Sequence, residues 1–145
     1  MGINAMKEVT NIELFNGVAG RLFALLYEKF PFYTDVDFAA LGTELVDKDD
    51  YDGAWDIREL AEATVRWLAA AGYIWLKEAD AFQTPDTAVL SPKGFEVLKA
   101  MPESIDTGKT LGEKIAELSK SGVSAGLSKV VDFAMSQGIK IMMGG

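Results

Sequence analysis

The 145-residue sequence predicts an α+β domain that is mostly α-helical and is followed by a helical extension. Three observations predict this class. Apolar residues recur at helical spacing in several segments, and two short strand-like runs stand between two of those segments. Glycine and proline mark the ends of the elements at the positions where helices usually stop or start. Together they predict helices, then a β-hairpin, then a closing helix.

The first helix is predicted to begin at Thr10 or Asn11, either of which can cap it, and to end near Lys29. The residue before Pro31 avoids helical dihedrals, so the helix ends at that point. A short second helix is capped by Asp35 or Asp37 and includes apolar residues from Phe38 to Val46. The apolar face of the first helix consists of Ile12, Phe15, Val18, Ala19, Leu22, Phe23, Leu26 and Phe30.

An acidic linker is predicted from Asp47 to Asp56, before a third helix that ends at Gly72. We expect Trp67 and Leu68 to point into the core. A hairpin then pairs Tyr73–Lys77 with Thr87–Leu90, and Ser91 caps a closing helix whose first residue is Pro92. The apolar face of the third helix consists of Ile57, Leu60, Ala61, Thr64, Trp67, Leu68 and Ala71, and the hairpin tip contains Asp80, Gln83, Thr84, Pro85 and Asp86.

The closing helix is predicted to end at Pro102, and the composition changes from Asp106 onward. The chain is therefore divided into an N-terminal arm (1–9), a domain (10–102) and a tail (103–145). Within the tail, Leu111, Ile115 and Leu118 have helical spacing. A second helix is predicted after Gly122, with its apolar residues at Val123, Leu127, Val130, Val131, Ala134 and Met135.

Two short motifs carry a family resemblance. The third helix steps through Gly72-Tyr73-Ile74 into the hairpin, and Leu90-Ser91-Pro92-Lys93-Gly94-Phe95-Glu96-Val97-Leu98 leads back into a helix. This order resembles the winged-helix family over residues 10–102. The resemblance implies a three-helix core with a β-hairpin wing, extended here by C-terminal helices. It also implies DNA binding through the third helix and the wing.

The composition excludes several kinds of chemistry. The chain has no cysteine and no histidine, which removes disulfides, thiol nucleophiles and the commonest general base and metal ligand. We therefore expect no enzyme activity, no cofactor and no metal. Residues 48–59 resemble a calcium loop, but Lys48 stands where the first carboxylate ligand belongs. Gly108-Lys109-Thr110 lacks the earlier glycine of a phosphate-binding loop, and the aspartates at 35, 37, 49, 50 and 52 have no arranged partners.

The charge distribution bears on the kind of partner. Of the net charge of −8, residues 1–105 carry −9 and residues 106–145 carry +1. An acidic body repels phosphate backbones, so protein recognition is favoured over DNA binding. The candidate contacts on the third helix, the wing and the closing helix are Arg58, Glu62, Arg66, Lys77 and Lys93.

The tail has three possible uses: packing on the domain, self-association, or contact with a membrane surface. The candidate self-association residues are Gly122, Gly126, Leu127, Val130 and Val131, because small residues let helices approach closely. We find neither a secretory signal nor an apolar run long enough to span a membrane, and we expect a cytoplasmic protein. The sequence thus predicts a non-enzymatic regulatory or adaptor module that binds protein. The alternative is a DNA-binding transcriptional regulator that dimerises through its C-terminal helices.

Overall fold

The structure is a computed structural model that describes residues 10–42, 51–79, 85–100, 108–120 and 125–142. It is mostly helical with a small antiparallel sheet, so the predicted α+β class is confirmed. Within these residues the helices are α1 (Asn11–Lys29), α2 (Phe38–Gly42), α3 (Tyr51–Ala70), α4 (Pro92–Lys99), α5 (Leu111–Ser119) and α6 (Ala125–Met142). The strands are β1 (Thr34–Asp35), β2 (Ile74–Lys77) and β3 (Thr87–Leu90).

Helix α1 lies at the centre of the fold and contacts α3, α5 and α6. The hydroxyl of Thr10 accepts a hydrogen bond from the backbone N–H of Glu13 at 3.1 Å and so caps the helix, as the sequence predicted. Val18, Leu22 and Leu26 recur at intervals of four residues and are fully buried. Ile12, which the sequence assigned to the same apolar face, is instead 65% exposed at the start of the helix.

Helix α3 corrects two predictions. It begins at Tyr51, so residues 51–56 of the predicted linker are helical, while residues 47–50 lie outside the described residues. Asp52 in the first turn is favourable because it faces the positive end of the helix dipole. Trp67 is 52% exposed, and only Leu68 of the expected inward pair is buried. The buried side of α3 is centred on Ala61, Val65 and Leu68, which follow at i, i+4 and i+7, and this phase leaves Trp67 at the rim.

Gly72 ends α3 with a φ of +89°, a conformation that side chains disfavour and glycine adopts readily. The backbone N–H of Tyr73 then donates to the Leu68 carbonyl at 2.9 Å, and β2 begins at the next residue. This geometry turns the chain sharply from the helix into the hairpin.

The sheet has the strand order β1-β3-β2, with both pairs antiparallel. Ile74 pairs with Leu90 and Lys77 with Thr87, which confirms the predicted hairpin. Strand β1 was not predicted: Asp35 lies in it, and Asp37 caps α2 by accepting the N–H of Ala40 at 3.1 Å. The tip residues Asp80, Gln83 and Thr84 lie outside the described residues, as do Leu45 and Val46 of the predicted second helix.

Helix α4 starts as the sequence predicted, with Ser91 as its cap and Pro92 at its first position. The Ser91 hydroxyl accepts the N–H of Gly94 and donates to the Gly72 carbonyl, so one side chain ties α4 to the turn that follows α3. A Cβ at position 94 would collide with the backbone carbonyl oxygen of Tyr73. Glycine is therefore needed where α4 approaches the hairpin.

Helices α5 and α6 pack on α1 and complete the same hydrophobic core. The Asn16 amide of α1 donates to the Ser128 hydroxyl at 2.7 Å and to the Asp132 carboxylate at 3.1 Å, both on α6. The Tyr73 hydroxyl donates to the Met135 carbonyl at 2.9 Å, which ties α6 to the start of the hairpin. Packing on the domain is thus the arrangement of α5 and α6, the two described helices of the tail.

Candidate interaction surface

Arg66, the central candidate on α3, is held by two glutamates of its own chain. Its guanidinium contacts Glu62 one turn earlier, with Nη2 3.0 Å from Oε2, and also pairs with Glu78 beyond the end of β2. The hydrogen bonds to Glu62 and then to Glu78 raise the pKa of Arg66 above its usual value. The structure therefore brings together Arg66 and Glu62, and the cluster including Glu78 carries a net negative charge.

Arg58 lies two turns before Arg66 on α3 and packs against aromatic rings. Its guanidinium carbon is 5.8 Å from the ring centroid of Trp55 and 6.0 Å from that of Phe38, which is within the range of cation–π attraction. The Trp55 indole N–H donates to Glu59 at 2.9 Å and fixes that ring. Arg58 is thus arranged by α2 and α3 and does not join the Arg66 cluster.

The two candidate lysines also contact their own chain. The Lys77 ammonium lies 4.2 Å from the ring centroid of Tyr33. The Lys93 ammonium donates to the Ala71 carbonyl at 2.7 Å, where it satisfies an acceptor at the C-terminal end of α3, and lies 4.1 Å from the Tyr73 ring. Desolvation lowers the pKa of Lys93. The four predicted cations therefore do not form one basic patch.

The candidate self-association residues are mostly unavailable to a second copy. Leu127, Val130 and Val131 are buried in the core of the same chain, because this face of α6 covers α1. Gly126 is exposed at the start of α6, and Gly122 lies outside the described residues. The structure corrects the assignment of these three apolar side chains to a dimer surface.

An apolar groove between α1 and α3, which we call the α1–α3 groove, was missed by the sequence analysis. It has a volume of about 530 Å³. The Phe15 and Trp67 rings meet edge to face in it, with centroids 5.4 Å apart and planes at 88°. The alternative helical phase through Ala61, Val65 and Leu68 was the sequence signal that could have placed Trp67 at the surface. The lining residues are Asn11, Ile12, Phe15, Leu60, Ala63, Thr64 and Trp67.

A second, smaller apolar cleft lies on the outer face of the sheet. Val89 of β3 pairs with Trp75 of β2. On the other side of β3, Thr34 pairs with Ala88, which places Tyr33 opposite Val89 in the antiparallel register. The side chains of Tyr33, Val89 and Trp75 therefore form one row across the strands. Phe30 and Phe95 stack beside this row with centroids 4.1 Å apart. The cleft has a volume of about 370 Å³, and Trp75 is 54% exposed at its edge.

The weaker motifs have ordinary structural roles where they are described. Asp52 and Glu59 lie on a continuous helix and not around a loop. Thr110 caps α5 by a reciprocal pair of hydrogen bonds with Glu113, and its hydroxyl also meets that of Tyr27 at 3.0 Å. Among the residues that are described, no group of three or more acidic side chains could hold a metal ion.

Comparisons with known proteins return no relative: no family model matches the chain, and neither a curated protein nor a solved structure is similar to it. In the part of the chain that the structure describes, none of the helices combines the length and the apolar character needed to cross a membrane.

Proposed function

We propose that this chain is a non-enzymatic regulatory or adaptor module that uses a winged-helix scaffold to recognise another protein. One observation carries the proposal: all four basic side chains expected to contact DNA are engaged by groups of their own chain. Arg66 is paired with two glutamates, Arg58 and Lys77 lie against aromatic rings, and Lys93 is bonded to a backbone carbonyl.

The scaffold is supported by the order of its elements. Three helices and a short first strand precede a two-stranded hairpin, and the first strand pairs with the second strand of that hairpin. A closing helix, α4, follows directly. The same order led to the resemblance in the sequence, and it presents α3 and the hairpin on adjacent surfaces, where a winged helix makes its contacts.

Electrostatics disfavours a nucleic-acid partner for this surface. Binding to a duplex draws most of its affinity from basic side chains that neutralise phosphates and release counterions. Arg66 would have to leave Glu62 and Glu78, and those carboxylates would then face the phosphates. The excess of acidic residues over residues 1–105 adds repulsion at longer range.

The exposed aromatic residues favour a protein partner. All three tryptophans of the chain have more than half of their surface exposed: Trp55 59%, Trp67 52% and Trp75 54%. Tryptophan is the residue type most enriched among side chains that dominate binding energy at protein interfaces. Large exposed apolar side chains that border grooves are also typical of interaction sites.

The test is a direct comparison of the two classes of partner. The full-length protein is titrated with a fluorescent mixed-sequence duplex at low salt, and we expect no saturable binding. In parallel, tagged protein is incubated with nuclease-treated lysate of the native cells. We expect a stoichiometric protein partner that Trp67→Ala or another tryptophan variant loses and that Arg66→Ala retains.

Duplex binding that falls steeply with salt and is weakened by Arg66→Ala would overturn the proposal and favour the DNA-binding regulator. Failure to capture any protein partner from the nuclease-treated lysate would also contradict the proposal. Circular dichroism of each variant checks that the fold is retained, so that a lost partner reports on the surface and not on unfolding.

A further inference from the structure

The α1–α3 groove has the shape of a binding site for a helix. Leu60, Ala63 and Trp67 follow at i, i+3 and i+7 and form a straight ridge along α3, while Ile12 and Phe15 form the facing wall on α1. The ridge from Leu60 to Trp67 spans about 10 Å at 1.5 Å per residue, so a partner helix lying along it would contact it over about two turns. Ile12 and Trp67 are 65% and 52% exposed, so the walls are open to a partner.

The hydrogen bonding of the walls favours a helix over an extended peptide. Both walls are α-helices, whose backbone groups are paired within the helix beyond the first turn of α1, and the Thr64 hydroxyl donates to the Leu60 carbonyl at 2.8 Å. An extended strand lying in the groove would find few backbone partners and would leave its own groups unpaired. A helix satisfies its backbone internally and presents apolar side chains at i, i+3, i+4 and i+7 to such a groove.

Charge indicates which helix fits. Asp56 and Asp52 lie one and two turns before Leu60 on the same side of α3, and both are exposed. Both cations of α3 are engaged by groups of their own chain. The Arg58 guanidinium is directed to the rings of Trp55 and Phe38, and the Arg66 guanidinium is paired with Glu62 and Glu78. A partner helix with basic residues beyond its apolar anchors would therefore meet carboxylates. A second copy of this chain would bring a net charge of −8 against −8.

We propose that the α1–α3 groove binds a cationic amphipathic helix of a partner protein, with its apolar side chains against Phe15 and Trp67 and its basic side chains towards Asp52 and Asp56. This inference rests on the proposed function and specifies the class of partner. It assigns affinity to the apolar walls, and orientation and salt dependence to the two aspartates.

The experiment uses the full-length protein and three synthetic helical peptides labelled for fluorescence anisotropy. The first has a leucine face and a lysine face, the second carries glutamate in place of lysine, and the third has the first peptide's composition in a scrambled order without an apolar face. We expect saturable binding of the first peptide and at least about 10-fold weaker binding of the other two.

Variants localise the site. Ala63→Arg places a cation and a long side chain in the groove at an exposed helical position, and we expect it to weaken binding about 10-fold or more without loss of thermal stability. Ala79→Arg is the matched control, because it adds the same side chain at an exposed alanine outside the groove. Ala79 follows Glu78, whose carboxylate contacts Arg66 on the other side of α3. We expect Ala79→Arg to change the affinity for the peptide less than about 2-fold. Asp56→Asn is expected to weaken binding and to reduce its salt dependence.

Failure of the amphipathic lysine peptide to bind overturns the inference. So does binding that the scrambled peptide reproduces, or that Ala63→Arg and Ala79→Arg weaken equally, because either result indicates non-specific attraction to an acidic protein. If the partner captured from lysate is retained by Ala63→Arg but lost by Trp75→Ala, the groove assignment fails and the protein-recognition function stands. Duplex binding that Arg66→Ala weakens would instead overturn the proposed function itself.

Discussion

Gly112 offers a sharp test of whether the C-terminal helices belong to the core. It lies in the first turn of α5, and a Cβ at this position would be 2.7 Å from Cγ and Cδ1 of Tyr27 and 2.8 Å from its Cδ2. These are the ring atoms closest to the Tyr27 backbone, so a movement of the hydroxyl end of the side chain cannot relieve the contact. In a freely exposed helix the same change, Gly112→Ala, would stabilise by about 1 kcal/mol.

The surroundings of Tyr27 set the size of the effect. The ring is held by the contact of its hydroxyl with Thr110 at 3.0 Å and lies against Phe95, with centroids 6.5 Å apart. Overpacking of this kind costs about 1–3 kcal/mol, and a displaced ring also loses a hydrogen bond that contributes about 1 kcal/mol. After subtraction of the gain in helix propensity, we expect Gly112→Ala to lower the free energy of unfolding by about 1–3 kcal/mol.

The assay is equilibrium unfolding in urea followed by circular dichroism, with the unfolding free energy compared at an unchanged denaturant slope. Tyr27→Ala supplies the control background: without the ring, Gly112→Ala should become neutral or stabilising. If Gly112→Ala stabilises the protein that retains Tyr27, α5 does not pack on α1 as described.

Two further predictions use the same equipment. Leu68 is fully buried, whereas Trp67 is half-exposed. Leu68→Asn should therefore lower the free energy of unfolding by about 3–5 kcal/mol, and Trp67→Gln should lower it by clearly less. Equal losses of unfolding free energy in urea would contradict the assigned helical phase. The backbone N–H of Thr110 and then its hydroxyl lower the pKa of Glu113, so the unfolded chain takes up a proton at Glu113 more readily than the folded chain does. Stability should therefore fall as the pH drops from the usual glutamate pKa of about 4.3 through the lower folded value, and Glu113→Gln should reduce this dependence. An NMR titration of Glu113 that gave its usual pKa would contradict the capping geometry.

The sequence predicted the features that depend on local chemistry. The cap at Thr10, the Ser91-Pro92 start of α4 and the stop at Gly72 are each determined by a few adjacent residues, and all three are found. The two strands of the hairpin were predicted from the short runs on either side of its tip, but their register was not specified, because the tip has no two-residue turn signal. Strand β1 was missed because two residues show no periodicity. Its pairing depends on the edge that β3 provides from more than fifty positions later.

The candidate site was harder to predict because it depends on tertiary contacts. Positions 60–68 of α3 contain apolar residues on more than half of the helix surface, and the choice between Trp67 and Val65 as a core residue is made by the helix that packs against them. The pairing of Glu62 with Arg66 follows from their i, i+4 spacing. The second partner, Glu78, is brought to Arg66 only by the fold of the hairpin.

These contacts divide the accessible surface of α3 into two stripes with different chemistry. One stripe contains Glu62 and Arg66 and is closed by Glu78 from the hairpin, so its polar groups are directed to one another. The other contains Leu60, Ala63 and Trp67 and borders α1, where an open apolar surface remains. A winged helix that reads DNA would need the first stripe, and an interaction with an apolar helix face needs the second. Because Glu78 pairs with the arginine of the first stripe, the hairpin supports the proposed recognition of protein over DNA. We expect Glu78→Gln to weaken this pairing without altering the groove.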